Sequence, residues 1–395
     1  MRQIFSSVAA LMLVLGPMTV APQVAHAAAP VIVVGTQSAA CPDPQFSKIQ
    51  EAVDHASPGT VIRICPGTYP EQVSITIALS LQGQNGVVIE PSHVGVNTMS
   101  TFSGAPLAAI ILVKDTTDVD IQGVIVDGAN NDITACGPDF IGILYQNASG
   151  EVKRVAVRNI KLSTTLNGCQ SGNAILVQSG SAGTSVVDVA DSSIHDYQKN
   201  GITGNEIGTT VRIENNVVTG VGPTTGTGAA QNGIQIGFGA DGSISRNTVA
   251  NHIWSPCVSL ESCDFTADDI LVFQSDGVSV EQNVAGISQT GIAIAANHAH
   301  VAQNQVFDTL TFDGIELGGN DNDATDNSIT RSDRAGVFID GNNNRVGRNR
   351  INEAAFGLLK VAGSTGNILF FNSFSNATVV VQDPAGRGSK ASPYR

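Results

Sequence analysis

Basic residues are in short supply: 20 Lys and Arg stand against 34 Asp and Glu in 395 residues, a net charge of −14. A chain this acidic is a poor partner for nucleic acid or an anionic membrane surface, whose attraction rests on Lys and Arg. The same deficit weighs against a pectin-like or alginate-like polyanion unless bound cations or a local basic patch overcome the field. Beyond the N-terminal leader no run is long and apolar enough to span a bilayer. The body of the chain lacks a 3.6-residue apolar period and is dense in Gly and Asn, which excludes helical repeats. The leucine consensus of leucine-rich repeats is missing too. His195, His252, His298 and His300 show no metal-ligand spacing and bring no third ligand, so no metal site is expected.

What is present begins with the leader. Arg2, the apolar run Ile4 to Val20 and the small-residue triplet Ala25-His26-Ala27 make a secretory signal peptide over residues 1–27. Gly16 and Pro17 interrupt the run, which argues against a membrane anchor. Its removal takes Arg2 and no acid away, so the mature chain is more acidic still. The expected location is secreted, periplasmic or on the cell surface. Six cysteines in an exported chain suggest up to three disulfides, with many pairings open. Spacing suggests that Cys257 and Cys263 clip one loop and that Cys41 and Cys65 pin the N-terminal region. Cys136 and Cys169 precede two successive strands at similar offsets.

A short phrase repeats: a small or polar residue, then two inward apolar residues around an outward one, followed by an asparagine expected within the next strand. It reads Gly201-Ile202-Thr203, Gly233-Ile234-Gln235-Ile236 and Asp269-Ile270-Leu271-Val272, and returns at Gly291, Gly314, Gly336 and Gly357 with a period of 21 to 23 residues. Short alternating strands at this period, divided by Gly, Asn and Asp turns, are the signature of a solenoid. Asn216, Asn247, Asn283, Asn304, Asn327, Asn349 and Asn372 fall at one place in successive coils. Stacked about 4.8 Å apart, their amides can bond along the solenoid, a structural role.

Phe46, Ile49, Val53 and Ala56 recur at helical spacing before Ser57-Pro58-Gly59, which predicts a short amphipathic helix capping the first coil. Ala52-Val53, Pro58-Gly59-Thr60, Pro66-Gly67-Thr68-Tyr69 and Leu79-Ser80-Leu81-Gln82-Gly83 resemble the opening of pectin-lyase-like β-helix proteins. With the repeats behind it, the resemblance covers nearly all of the mature chain. It implies an all-β fold, a single-stranded right-handed parallel β-helix with an N-terminal capping helix. The expected organisation is a cap with the first coils over 28–90, β-helix repeats over 91–382 and a disordered tail over 383–395. The superfamily includes lyases, hydrolases, esterases, epimerases and non-enzymes, so the fold does not name a reaction.

Two coils are oversized. The intervals from Gly201 to Gly233 and from Gly233 to Asp269 are 32 and 36 residues, and the excess lies in loops over Thr219–Gln231 and Asn251–Ala267. Insertions in repeats collect on one face, so these loops are expected to wall a cleft along one sheet. The residues before the phrase are Asn200, Asn232, Asp268, Thr290 and Asp313; the outward residues are Thr203, Gln235, Leu271, Ala293 and Glu316. With Tyr197, Lys199, Gln231 and the single tryptophan, Trp254, they supply the parts of a carbohydrate site: amides for hydroxyls, a ring to stack on a sugar, and carboxylates for proton transfer. The candidate catalytic residues are Asp268, Asp269, Asp313 and Lys199. The candidate ligand-binding residues are Tyr197, Asn200, Gln231, Asn232, Gln235, Trp254 and Glu316.

Asp268-Asp269 with Asp313 two coils on resembles the carboxylates of polygalacturonase-type hydrolases, about 10 Å apart, near the upper end of the range for an inverting glycosidase. The Gly-His-Gly and Arg-Ile-Lys segments of those enzymes are absent. A lyase would use Lys199 as base, with calcium holding a uronate; otherwise no cofactor is evident. The expected function is to bind, and in the enzymatic reading to cleave or modify, a polysaccharide or other glycan. The alternative is a non-catalytic surface or periplasmic β-helix. A third class, periplasmic β-helix proteins that assist copper-enzyme maturation, finds no Cys, Met or His cluster suited to copper. Sequence leaves the oligomeric state open.

Overall fold

A computed structural model describes residues 29–382, apart from 181, 227, 258–262, 264 and 265. The expected leader and tail lie outside the described residues. Within them the alternating segments form strands, and turns rich in Asn, Asp and Gly bend the chain back over itself. One coil contains Thr209–Glu214, Val217–Thr224 and Asn232–Gly237. Each of these strands pairs in parallel with its counterpart in the next coil, so the coils stack into three sheets along one axis. Parallel connections of this kind are right-handed, giving a right-handed parallel β-helix.

The first sheet holds 13 strands, from Val31–Val34 to Ile368–Phe370. The second starts at Gly67–Tyr69 and the third at Val73–Ile75. They fuse in the last coils, where Ser328–Ile339, Arg350–Lys360 and Ser373–Gln382 each run through both.

One apolar core fills the interior along the whole axis. Ile202, Ile234, Ile270, Ile292, Ile315, Val337 and Leu358 stack in register, one per coil. Each such side chain contributes roughly 1.5 to 3 kcal/mol by leaving water. The helix Ile49–His55 packs on the first strands of the first and third sheets and adds Ile49, Ala52 and Val53 to this core. Its first amides, Ile49 N–H and Gln50 N–H, donate to the Glu71 carboxylate at 2.8 and 2.9 Å.

The seven asparagines form one continuous ladder. They lie in the two-residue turns between first and second sheets, not within the following strand as the repeat suggested. The preceding residue of each turn has φ between 54° and 59°, a conformation in which the backbone alone leaves polar groups unpaired. The amide of the next coil supplies the partner: Asn283 N–H and Nδ2 both donate to Asn304 Oδ1, at 2.9 and 3.0 Å. Asn304 Nδ2 in turn donates to Val280 O at 2.9 Å. Shorter ladders, Asn297-Asn320-Asn342 and Asn322-Asn344-Asn367, do the same where the third sheet returns to the first. The cysteines pair as Cys41–Cys65, Cys136–Cys169 and Cys257–Cys263.

Candidate functional site

The third sheet turns two side-chain columns outward. One runs Asn173, Asn200, Asn232, Asp268 and Thr290; the other runs Leu176, Thr203, Gln235, Leu271, Ala293 and Glu316. Between them the register passes over the first residue of the phrase, pairing Asn200 with Asn232 and Ile202 with Ile234. A Cβ on Gly201 would lie 2.6 Å from Val218 Cγ1, and one on Gly233 2.3 Å from Val249 Cγ1. That position therefore faces the interior.

Asp269 occupies it in the next coil, so its carboxylate is turned inward. It meets His252 Nδ1 at 2.6 Å, and His252 Nε2 meets the Tyr197 hydroxyl at 2.5 Å. All three side chains are fully buried. Burial holds Asp269 well above the usual carboxylate range and pushes His252 down to about 3, so the imidazole is neutral. This chain of polar groups braces the inside of the two oversized coils, and no ligand on the outer face reaches it. Gln231 is also internal, with Nε2 donating to Tyr197 O and Oε1 accepting from Val221 N–H. Trp254 packs with Ala230, Cys257, Ala267 and Phe312 in a small core inside the long loops, and its Nε1 donates to Gly226 O at 2.6 Å. It forms no exposed platform.

The outer face carries an element that the repeat pattern did not reveal. Residues 98–105 form a strap across the upstream coils, starting with Thr98–Met99 antiparallel to Pro106–Lys114. Thr98 Oγ1 donates to Gln146 Oε1 at 2.6 Å, Gln178 Nε2 donates to Ser100 Oγ at 3.3 Å, and Thr101 Oγ1 donates to Glu206 Oε2 at 2.6 Å. Beside the strap lies a slot of about 340 Å³. Ser100 and Phe102 of the strap line it together with Ala230 and Thr266 from the two long loops, while Asn173, Asn200, Asn232 and Gln235 come from the sheet. The strap and the two long loops together wall this slot. Phe102, Phe238 and Phe273 form an aromatic row at its border, with centroids 4.5 and 5.2 Å apart.

Two lining residues are charged, Asp139 and Lys199. Burial raises the Asp139 carboxyl to about 6. Lys199 donates to Ala230 O at 2.7 Å, and burial lowers it to about 8 against the opposing pull of Asp268. Asp268 itself is buried just behind the slot, where its N–H donates to Asn232 Oδ1. Further downstream Asp313 is held by the Arg334 guanidinium, which also stacks on Phe338 at 4.2 Å. Burial, and next the Asp313 charge, push Glu316 up to about 8. Asp313 and Glu316 share the face but do not line the slot.

Several lining groups have no protein partner. The side chains of Asp139 and Asn173 make no hydrogen bond or ion pair, and Asn200 Oδ1 is buried without one although Asn200 Nδ2 donates to Thr203 and Gln235. Of the residues singled out from sequence, the structure brings Asn200, Asn232, Gln235 and Lys199 to this slot; Asp139, Asn173, Phe102 and Phe238, which also line it, were not singled out. The long spacing from strand Pro106–Lys114 to Asp139–Gln146 and on to Asn173–Gln178 was the available signal.

Solved structures resemble this architecture at low identity. The Dettilon tailspike protein aligns with a TM-score of 0.52 at 10% identity, covering 83% of this chain and 64% of that one. The likeness shows the fold alone, a right-handed parallel β-helix. DFA-IIIase from Arthrobacter chlorophenolicus A6 aligns at 16% identity over 85% of each chain, TM-score 0.48. The GH136 lacto-N-biosidase from Eubacterium ramulus aligns at 9% identity over 89% of this chain and 68% of that one, TM-score 0.47. No curated protein matches the chain. A family model described as periplasmic copper-binding protein (NosD) matches residues 262–390, about a third of the chain.

The donor set in that span does not fit a copper centre. It has no Met, its one Cys is bonded to Cys257, and its histidines are His298 and His300. Strand register does set Asp323 beside His300, a neighbour that sequence did not reveal. Among the described residues no group of three or more His, Cys, Asp or Glu side chains is arranged to hold a metal. The three disulfides fit an oxidising compartment, and the family matched over residues 262–390 is described as periplasmic. Among the described residues no helix is long and apolar enough to cross a membrane.

Proposed function

We propose that the protein binds a glycan in the slot on the outer face of the third sheet. The observation that carries this reading is the set of lining groups left without protein partners: the Asp139 carboxylate, the Asn173 amide and Asn200 Oδ1. Polar groups withdrawn from water cost free energy when unpaired; Asn200 Oδ1 is buried and the Asp139 and Asn173 side chains partly so, on adjacent coils, which supports a ligand rich in hydroxyls. The aromatic row of Phe102, Phe238 and Phe273 supports the same class, since a sugar presents an apolar face as well as hydroxyls. The slot volume, about 340 Å³, suits a short oligosaccharide or one stretch of a chain. Isothermal titration against a panel of neutral and charged oligosaccharides tests the reading; if none binds, the slot has another purpose.

A second reading adds chemistry. Asp139 near 6 and Lys199 near 8 both titrate close to neutrality, as a general acid and a general base do. In that reading protonated Asp139 donates its proton to the leaving oxygen as water adds to the sugar carbon, or Lys199 in its neutral amine form, which burial favours, takes a proton from a sugar carbon as the C–O bond on the adjacent carbon breaks. Hydrolysis liberates reducing ends, whereas elimination yields an unsaturated product that absorbs in the ultraviolet. Asp139→Asn and Lys199→Met would each abolish turnover while leaving binding measurable. Binding without either product over hours supports the non-catalytic alternative.

A further inference from the structure

We infer that the glycan held in the slot carries an amino sugar in its ammonium form, and that Asp139 is the residue that recognises it. This rests on the glycan reading above. The first argument is the lack of compensation at Asp139. Its carboxylate lines the slot half-buried, and no donor or cation of the protein touches it. Its raised titration agrees, because burial is the one cause of the shift and no neighbouring charge contributes. The flanking strands Pro106–Lys114 and Asn173–Gln178 bring a single charged group, Lys114, paired with Gln146 at the opposite end of the Asp139 strand. A neutral diol would supply hydrogen bonds to this carboxylate; an ammonium supplies both the bonds and the missing charge.

The second argument is the charge around the slot. The chain holds 34 acids against 20 bases. Lys199, the other charged lining residue, is tied to Ala230 O and interacts with Asp268. Downstream on the same face, Asp313, Glu316 and Asp340 all act on the Arg334 guanidinium. A uronate or sulfated glycan would enter against this field, whereas a cationic one is drawn in. A divalent metal is a poor occupant of the Asp139 end, because the slot offers this one carboxylate and metals of that kind need several oxygen ligands. Asn173 and Asn200 Oδ1, on the next two coils, offer further acceptors to the ammonium and its neighbouring hydroxyls.

The test uses the mature protein and two probes of equal length, tetramers of β-1,4-linked glucosamine and of its N-acetyl form, titrated at physiological salt. The expected result is that the free-amine tetramer binds about tenfold or more tighter than the acetylated one. Asp139→Asn, which keeps shape and removes charge, should erase that preference, so that the two tetramers bind the variant with equal affinity. Equal binding of both probes by the parent, or tighter binding of the acetylated one, overturns the inference and leaves the glycan reading standing. A preference that survives Asp139→Asn also overturns it, because the general field would then be the cause. If neither probe nor any glycan of the wider panel binds, both the inference and the reading beneath it fail.

Discussion

Replacing Asn304 by Ala removes the middle rung of the asparagine ladder, and the structure states what is lost. Asn304 Nδ2 donates to Val280 O and Asn327 Oδ1, and its Oδ1 accepts from Asn283 N–H and Nδ2. Two of the four partners keep another bond: Asn283 Nδ2 to Ile244 O, and Asn327 Oδ1 from Asn304 N–H. Val280 O also lies in the parallel ladder, opposite the strand His300–Ala302, so the backbone group left buried and unpaired is Asn283 N–H. At about 1 to 3 kcal/mol for such a group, the loss is about 1 to 3 kcal/mol. Asn372 is the last rung among the described residues and half-buried, with Nδ2 on Val346 O and Oδ1 accepting from Asn349 N–H and Nδ2. These bonds are part-buried where those of Asn304 are buried, so Asn372→Ala should cost less than Asn304→Ala. Urea unfolding of both variants, followed by circular dichroism, measures the contrast. Equal losses at the middle and the end would refute the argument that burial of the freed groups sets the cost.

Asp139→Asn should act on stability with a definite pH sign. The folded carboxyl titrates near 6, above its ordinary 3.8, so its contribution is greatest below about pH 4 and is lost as pH rises to about 6. The variant should therefore match the parent in acid and be more stable at neutral pH, by about 1 kcal/mol once partial solvent exposure is allowed for; a melting-temperature series across pH checks this, and a destabilised variant at neutral pH contradicts it. Trp254→Ala should cost about 3 kcal/mol and make the loop around it a protease target, because the ring fills the core between the long loops; loss of glycan binding with unchanged melting would instead mark it as a platform. Reduction of Cys257–Cys263 should raise hydrogen exchange in the loop that ends at Ala267 and leave the coil strands protected, since the bond closes only a short ring. Loosening of the strands themselves would contradict that assignment.

The coils were legible because a solenoid writes its geometry into a period: each layer needs an inward β-branched residue and a turn amide at the same place. The slot was legible in part, for the same reason. Asn200, Asn232 and Gln235 sit on regular coils, so counting along the phrase put them in columns. Asp269 defeated the count because the first position of the phrase is glycine in most coils, and glycine does not reveal which way a side chain there would point. Its inward direction emerges only from the packing of Val218 and Val249 around Gly201 and Gly233. Trp254 and Tyr197 are candidate ligand contacts by proximity in sequence, yet large rings gain most by burial, and both are buried. The strap over residues 98–105 follows no period, being an insertion whose contacts with Gln146, Gln178 and Glu206 lie up to 105 residues away in sequence. Asp139 and Asn173 stayed hidden with it, since without the strap nothing distinguishes them from ordinary strand-start residues.

The claim at the centre of this account is that the unpaired groups of the slot await a glycan. Asn173→Ala tests it most directly, because the Asn173 side chain makes no bond within the protein and its removal should leave folding intact. Titration of the parent and this variant with the tightest-binding glycan of the panel, alongside their melting temperatures, is the measurement. The account predicts an unchanged melting temperature and an affinity about tenfold weaker or worse, the worth of one or more hydrogen bonds to a buried ligand. Full affinity in the variant, or a parent that binds no glycan at all, would contradict it.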